Sequence, residues 1–145
     1  MKNLNNKKER LFLPPLAELL DRLTVTQIKQ AILGDKNKHF ANEIKKISND
    51  IDIIISESNL KLESKLIRTI VLISQINLHI WKNKDLMQEN LNNNEKYLNL
   101  LKLSHQLNGI RNRMKNYILE IEGNNDESQK KSNFETDNLD WDLDL

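Results

Sequence analysis

Residues 62–88, centred on Gln75-Ile76-Asn77-Leu78-His79-Ile80-Trp81-Lys82-Asn83-Lys84-Asp85, decide the fold. They form the most apolar part of a polar chain. Leu62, Leu66, Ile70, Ile73, Asn77, Ile80, Trp81 and Lys84 recur at helical spacing and define one inward stripe. The spacing predicts a helix over about 61–90, the central helix of a bundle. Two residues sit oddly on that stripe: Asn77 in its middle and Trp81 one turn later. A buried amide without partners costs about 1–3 kcal/mol. Asn77 therefore requires a hydrogen-bond partner, a water or a ligand.

The flanking sequence repeats the helical theme. Phe40, Ile44, Ile47, Ile51 and Ile54 predict a helix over 38–57, closed at Ser58-Asn59. Leu100, Leu103, Leu107, Ile110, Met114, Ile118 and Ile121 predict a last helix over 95–122, ended by Gly123. Leu11-Phe12-Leu13 reads as a short apolar anchor and Pro14-Pro15 as a helix start. Leu16, Leu19, Leu20 and Leu23 share a face, but Val25, Ile28 and Ile32 fall roughly opposite it at ~100° per residue. Thr24-Val25-Thr26-Gln27 has the form of a capping box. The expectation is two short helices, 15–23 and 25–33, bent at Thr24, with Gly34 closing the second. The fold class is all-α: an antiparallel bundle of about four helices joined by short loops.

Composition agrees. Of 145 residues only three are Gly and two Pro, and no strand pattern is long enough to build a sheet. Residues 1–122 carry 20 Lys+Arg against 14 Asp+Glu, and residues 123–145 carry 2 against 7. The expected organisation is a disordered basic leader at 1–10, a bundle domain at 11–123 and an acidic disordered tail at 124–145. The chain has no Cys, hence no disulfide and no thiolate chemistry. The first residues carry charge with no apolar run behind it, unlike a signal peptide, and the greasiest run is broken by Arg68, Gln75, Asn77 and His79. No membrane span and a cytoplasmic location are expected.

Several polar residues stand out as a candidate cleft. Asn77, Trp81 and Asp85 rise along one side of the central helix. Ser104, Asn108, Arg111 and Lys115 recur at spacings of four, three and four, on a flank roughly 70° from the apolar centre of the last helix. Asp21, Arg22 and Thr24 gather near the start of the chain, with Lys29 beyond. Arg111 or Lys115 can pair with Asp85 or Asp21, or can form an anion-binding edge in which arginine supplies a bidentate fork and lysine a point charge. Gly109 falls on the outer side of the last helix.

Three of these blocks resemble those of small all-helical bacterial proteins of unknown function. Leu19-Leu20-Asp21-Arg22-Leu23-Thr24-Val25-Thr26-Gln27-Ile28-Lys29 is similar to their opening motif. Asn77-Leu78-His79-Ile80-Trp81-Lys82-Asn83-Lys84-Asp85 is similar to their Asn-x-x-(Leu/Ile)-Trp-x-x-Glu-Asp signature. Asn108-Gly109-Ile110-Arg111-Asn112-Arg113-Met114-Lys115 resembles their third block. The blocks keep the same order over about 16–120. The resemblance implies a helical fold and a shared cluster of Asp21, Thr24, Lys29, Asn77, Trp81, Asp85, Asn108, Arg111 and Lys115. It implies no activity. Lys84 stands where those proteins carry an acidic residue, so an acidic pair there would be altered in this chain.

Other chemistries fit poorly. His39, His79 and His105 lie in separate segments without metal-ligand spacing, and three scattered glycines cannot make a phosphate loop. Adjacent residues on a helix point two ways, so Ser104-His105 is no catalytic dyad. No metal and no cofactor are expected. The body is only mildly basic and its aromatics are not interleaved with its cations, which speaks against nucleic acid. The tail Asp137-Asn138-Leu139-Asp140-Trp141-Asp142-Leu143-Asp144-Leu145 alternates acidic and apolar residues. In a strand, Leu139, Trp141, Leu143 and Leu145 would share one face, as in a short docking motif. The expected function is a protein-interaction or adaptor module, homo-oligomeric or bound to a protein partner. The alternative is a small enzyme or binding protein for an anionic, phosphorylated metabolite held by Arg111 and Lys115.

Overall fold

The computed structural model describes residues 11–123 and Lys130. The expected leader at 1–10 and the expected docking motif with Leu139, Trp141, Leu143 and Leu145 lie outside the described residues. Four helices are present among the described residues: α1 (Leu16–Leu33), α2 (His39–Glu57), α3 (Ser64–Glu89) and α4 (Asn94–Glu122), with no strand. The bundle is all-α, as expected. The loops between helices are short, which turns the chain back at each helix end.

Each helix end has a local cause. Glycine adopts positive φ without a Cβ penalty. Gly34 (φ 74°) and Gly123 (φ 71°) use that freedom to end α1 and α4. Lys38 precedes α2 with φ 56° and offers no side-chain cap. Asp35 supplies one from farther back, accepting from the Phe40 and Ala41 amides at 3.1 and 2.8 Å. Those bonds and one from the Gln30 amide outweigh the opposing effect of desolvation and hold the Asp35 carboxyl below its usual value. Asn93 caps α4 by accepting from Lys96 N–H. The first amide of α1, on Leu16, donates to both carboxylate oxygens of Glu122 at the end of α4. An anion is favoured at a helix N-terminus, and this one ties the two chain-distant ends together.

The break expected at Thr24 is absent. α1 is one uninterrupted helix. Thr24 and Thr26 do not start a new turn. Their hydroxyls donate back to the carbonyls of Asp21 and Arg22 at 2.8 and 2.9 Å, the bonding mode of threonine inside a helix. The change of apolar phase is absorbed by exposure instead: Ile32 and Leu33 are exposed, and Val25 and Ile28 half-buried. Leu11, Phe12 and Leu13 are likewise exposed, so they do not anchor the chain in the core.

α1, rather than α3, is the hub. It packs closely against each of the other three helices; α3 packs also on α4, and α2 approaches α1 alone. The main core joins Leu16, Leu19 and Leu20 of α1 to Ile47 and Ile51 of α2, Leu66 and Ile73 of α3, and Met114 and Ile118 of α4. A second cluster, Ile76, Ile80, Leu107 and Ile110, lies between α3 and α4 only. At about 1.5 Å per residue, α3 and α4 are longer than α1 and outrun it. Of the inward stripe expected on α3, Leu66, Ile73, Asn77 and Ile80 are buried and Ile70 and Trp81 half-buried. Leu62, which precedes the helix, and Lys84 are exposed. Gly109 is buried, not outward.

Candidate functional site

Between the two apolar clusters three helices meet through polar side chains. Asn77 on α3 is 4% exposed, and every hydrogen-bonding atom of its amide is used. Its Nδ2 donates to Asp21 Oδ1 and to Thr24 Oγ1, both at 2.7 Å, and its Oδ1 accepts from Arg111 Nη1 at 3.0 Å. Lys115, one turn beyond Arg111 on α4, returns to α1. Its Nζ lies 3.1 Å from Asp21 Oδ2 and 3.0 Å from each oxygen of Glu18. The Lys115 side chain is only 8% exposed. A cation taken from water needs paired anions around it, and Glu18 and Asp21 supply two.

Asp21 (α1), Asn77 (α3), Arg111 and Lys115 (α4) thus close a circuit through three helices. The four fall together because Asp21 and Thr24 are one turn apart on α1, and Arg111 and Lys115 one turn apart on α4. Glu18 continues the α1 side outwards, where Lys130 Nζ approaches its Oε1 at 2.9 Å. Burial alone would raise the Glu18 carboxyl. The hydrogen bonds and charges of Lys130 and Lys115 outweigh it and hold the group below its ordinary value. The Nε of Arg111 is buried and has no hydrogen-bond partner among the described residues.

The remaining expected residues do not join this circuit. Trp81 is half-buried and Asp85 exposed, so neither Arg111 nor Lys115 pairs with Asp85. Lys29 and Asn108 are half-buried. Lys29 instead lines an open cleft of about 520 Å³ on the α1 side, with Phe12, Leu19, Arg22, Val25 and Glu43. Within it Glu43 accepts from Arg22 Nε at 2.8 Å, and Thr26 Oγ1, whose single proton is shared with the Arg22 carbonyl, lies 3.1 Å from it. The Arg22 bond, more than desolvation opposes it, holds the Glu43 carboxyl low.

Sequence reading passes over three contributors. Glu18 precedes Asp21 by three residues and so shares its flank, a spacing visible in the sequence. Asn83, 1% exposed, donates at 2.7 Å to both Leu100 O and Ser104 Oγ and is a second polar pin between α3 and α4. Its burial rests on the rotation of α3 about its axis, which one helix's pattern does not report. Glu122, which accepts from the Leu16 amide, carries no local signal at all.

Among the described residues no group of three or more His, Cys, Asp or Glu is arranged to hold a metal ion, and no helix is long and apolar enough to cross a membrane. No family model, curated protein or solved structure matches the chain.

Proposed function

We propose that the protein is a non-enzymatic helical interaction module whose docking face lies along α1, beside the polar circuit. One observation carries this reading: Lys115 is committed to carboxylates of its own chain, while the adjoining cleft is open and mixes Phe12, Leu19 and Val25 with Arg22, Lys29 and Glu43. Apolar surface bordered by charge is what protein interfaces use. The cleft's charges are balanced, Arg22, Lys29 and Lys130 against Glu18, Asp21 and Glu43, so the segment with Leu139, Trp141, Leu143 and Leu145, in a second copy or a partner, would engage it through its apolar side chains.

Light scattering on the full chain over a range of concentration tests this, beside a Leu139→Ala/Trp141→Ala/Leu143→Ala variant. A mass above monomer that the variant loses supports it. A second reading, binding of an anionic metabolite, is favoured by the buried Arg111 Nε without a partner, since a guanidinium edge suits an oxyanion. Monomer at every concentration in both proteins, together with thermal stabilisation by a phosphorylated compound that Arg111→Ala abolishes, replaces the first reading with the second.

A further inference from the structure

Lys130 lies outside any helix yet is held at three points on the α1–α4 edge. Its N–H donates to Asn116 Oδ1 at 2.6 Å, its carbonyl accepts from Asn116 Nδ2 at 2.8 Å, and its Nζ meets Glu18 Oε1 at 2.9 Å. Asn116 therefore commits its acceptor and a donor to the main chain of one residue. The N–H and C=O of one residue face the same side in extended backbone, and a neighbouring strand pairs with both. The Asn116 amide imitates that strand. It grips a backbone without regard to its side chain, as sheet edges do when they take up peptides.

Selectivity comes from Glu18. Behind its carboxylate sits buried Lys115, which keeps it ionised and aimed outwards. In front of it the Lys130 ammonium stands at 2.9 Å, beside the cleft lined by Phe12, Leu19 and Val25.

We propose that this edge is a recognition site for an extended, lysine-bearing segment of a protein partner, with Lys130 as its resident occupant. This rests on the interaction-module reading and deepens it by naming the partner's chemistry. The resident is replaceable. The Lys130 and Glu18 side chains are 30% and 31% exposed, and an ion pair so exposed holds weakly. Its advantage is that it belongs to the same chain, which gives it an effective concentration on the order of millimolar. A partner competes once that advantage is overcome.

The test is fluorescence anisotropy with a labelled peptide of residues 128–134, Ser-Gln-Lys-Lys-Ser-Asn-Phe. It is titrated into the full-length wild type, into the full-length Lys130→Ala/Lys131→Ala variant, and into that variant carrying Asn116→Ala or Glu18→Gln. The peptide is expected to bind the lysine-depleted variant roughly tenfold or more tightly than wild type, because the competitor in cis is weakened. Asn116→Ala and Glu18→Gln should each remove most of that gain. A peptide with both lysines replaced by methionine should not bind. That last arm leaves the protein untouched, so it decides the matter even where Glu18→Gln disturbs the fold. Three results overturn the proposal: no saturable binding to the lysine-depleted variant; equal binding of the methionine peptide; or self-association of wild type that Asn116→Ala abolishes, which gives the site to a second copy of this chain. Failure here leaves association through residues 139–145 untouched, so the broader reading is judged separately.

Discussion

Asn77→Asp is the sharpest probe of the circuit, because it changes chemistry and almost no volume. The oxygen that accepts from Arg111 is retained. The amide nitrogen, which donates to Asp21 Oδ1 and Thr24 Oγ1 at 2.7 Å, becomes an oxygen. Two hydrogen bonds are lost and two carboxylates face each other. At an effective dielectric near 20, charges at that separation would repel by about 6 kcal/mol. The folded protein need not bear this, because the pair can take up one proton. Protonating a carboxyl of ordinary pKa near 4 at pH 7 costs about 4 kcal/mol, at ~1.4 kcal/mol per pH unit, and the proton restores a donor between the two groups. The expected destabilisation at pH 7 is therefore about 3–4 kcal/mol. The folded variant binds a proton that the unfolded chain does not, so its folded-state pKa is raised and stability returns as pH falls. The penalty relative to wild type should shrink by ~1.4 kcal/mol per unit from pH 7 towards pH 5. Urea unfolding followed by circular dichroism at pH 7, 6 and 5, taken as variant minus wild type, measures it. A penalty under about 1 kcal/mol at pH 7, or one that does not change with pH, refutes the circuit.

Three further outcomes follow from other parts of the bundle. Asn83→Leu removes a fully buried amide that donates to Leu100 O and Ser104 Oγ, and urea unfolding should register a loss of about 1–3 kcal/mol; an unchanged midpoint would mean that these bonds contribute nothing net. The Glu18 carboxyl is lowered by its lysine partners against the effect of burial, so it stabilises the fold above its ordinary pKa and loses that contribution as pH falls through the lowered folded value. Glu18→Gln should flatten the acid limb of a melting-temperature profile between pH 6 and 3, and a limb of unchanged steepness would argue against it. Asp35→Ala removes the acceptor for the Phe40 and Ala41 amides; hydrogen exchange at those two positions should quicken while the α3–α4 amides keep their protection, and uniform loosening would show that the cap is not local.

What the sequence discloses divides along physical lines. Helix identity and ends are legible because their causes are local: Gly34 and Gly123 close helices, and the a/d rhythm of Phe40 to Ile54 marks one face. The circuit is partly legible for the same reason. Asn77 lies on an apolar stripe, and a buried amide demands partners; Asp21, Thr24, Arg111 and Lys115 sit at one-turn spacings on faces that could supply them. What fails is whatever depends on how the helices pack around one another. Lys84 and Asp85 keep the helical phase but are exposed, so phase alone puts Lys84 inside and offers Asp85 as a partner. Thr24 shows a different failure, since a capping box and a pair of back-bonding threonines read alike until the course of the backbone is known. Glu122 acts on Leu16, 106 residues away, and Asn116 on a residue beyond the bundle, so neither contact follows from the pattern of its own helix.

The circuit also constrains what the site can be. Apolar faces of Leu and Ile accept small shifts, because one methyl-rich surface packs much like the next. A chain of directed bonds does not. If α4 slipped by one turn, about 5.4 Å, Arg111 would leave Asn77 and Lys115 would leave both carboxylates, stranding charges in the interior. Asn77, Asp21 and Lys115 thereby set the register of α1, α3 and α4, as a single polar residue sets register in coiled coils. An external anion gains little by approaching Lys115, since it would replace carboxylates already 3.0–3.1 Å away with an equivalent charge. Glu18, at 31%, is more exposed than Asp21 at 14% or Lys115 at 8%, so of these three it is the one displaced with least opening of the core. Glu18 is also the group that faces Lys130, so the exchange proposed above would take place at the outer edge, over the buried part.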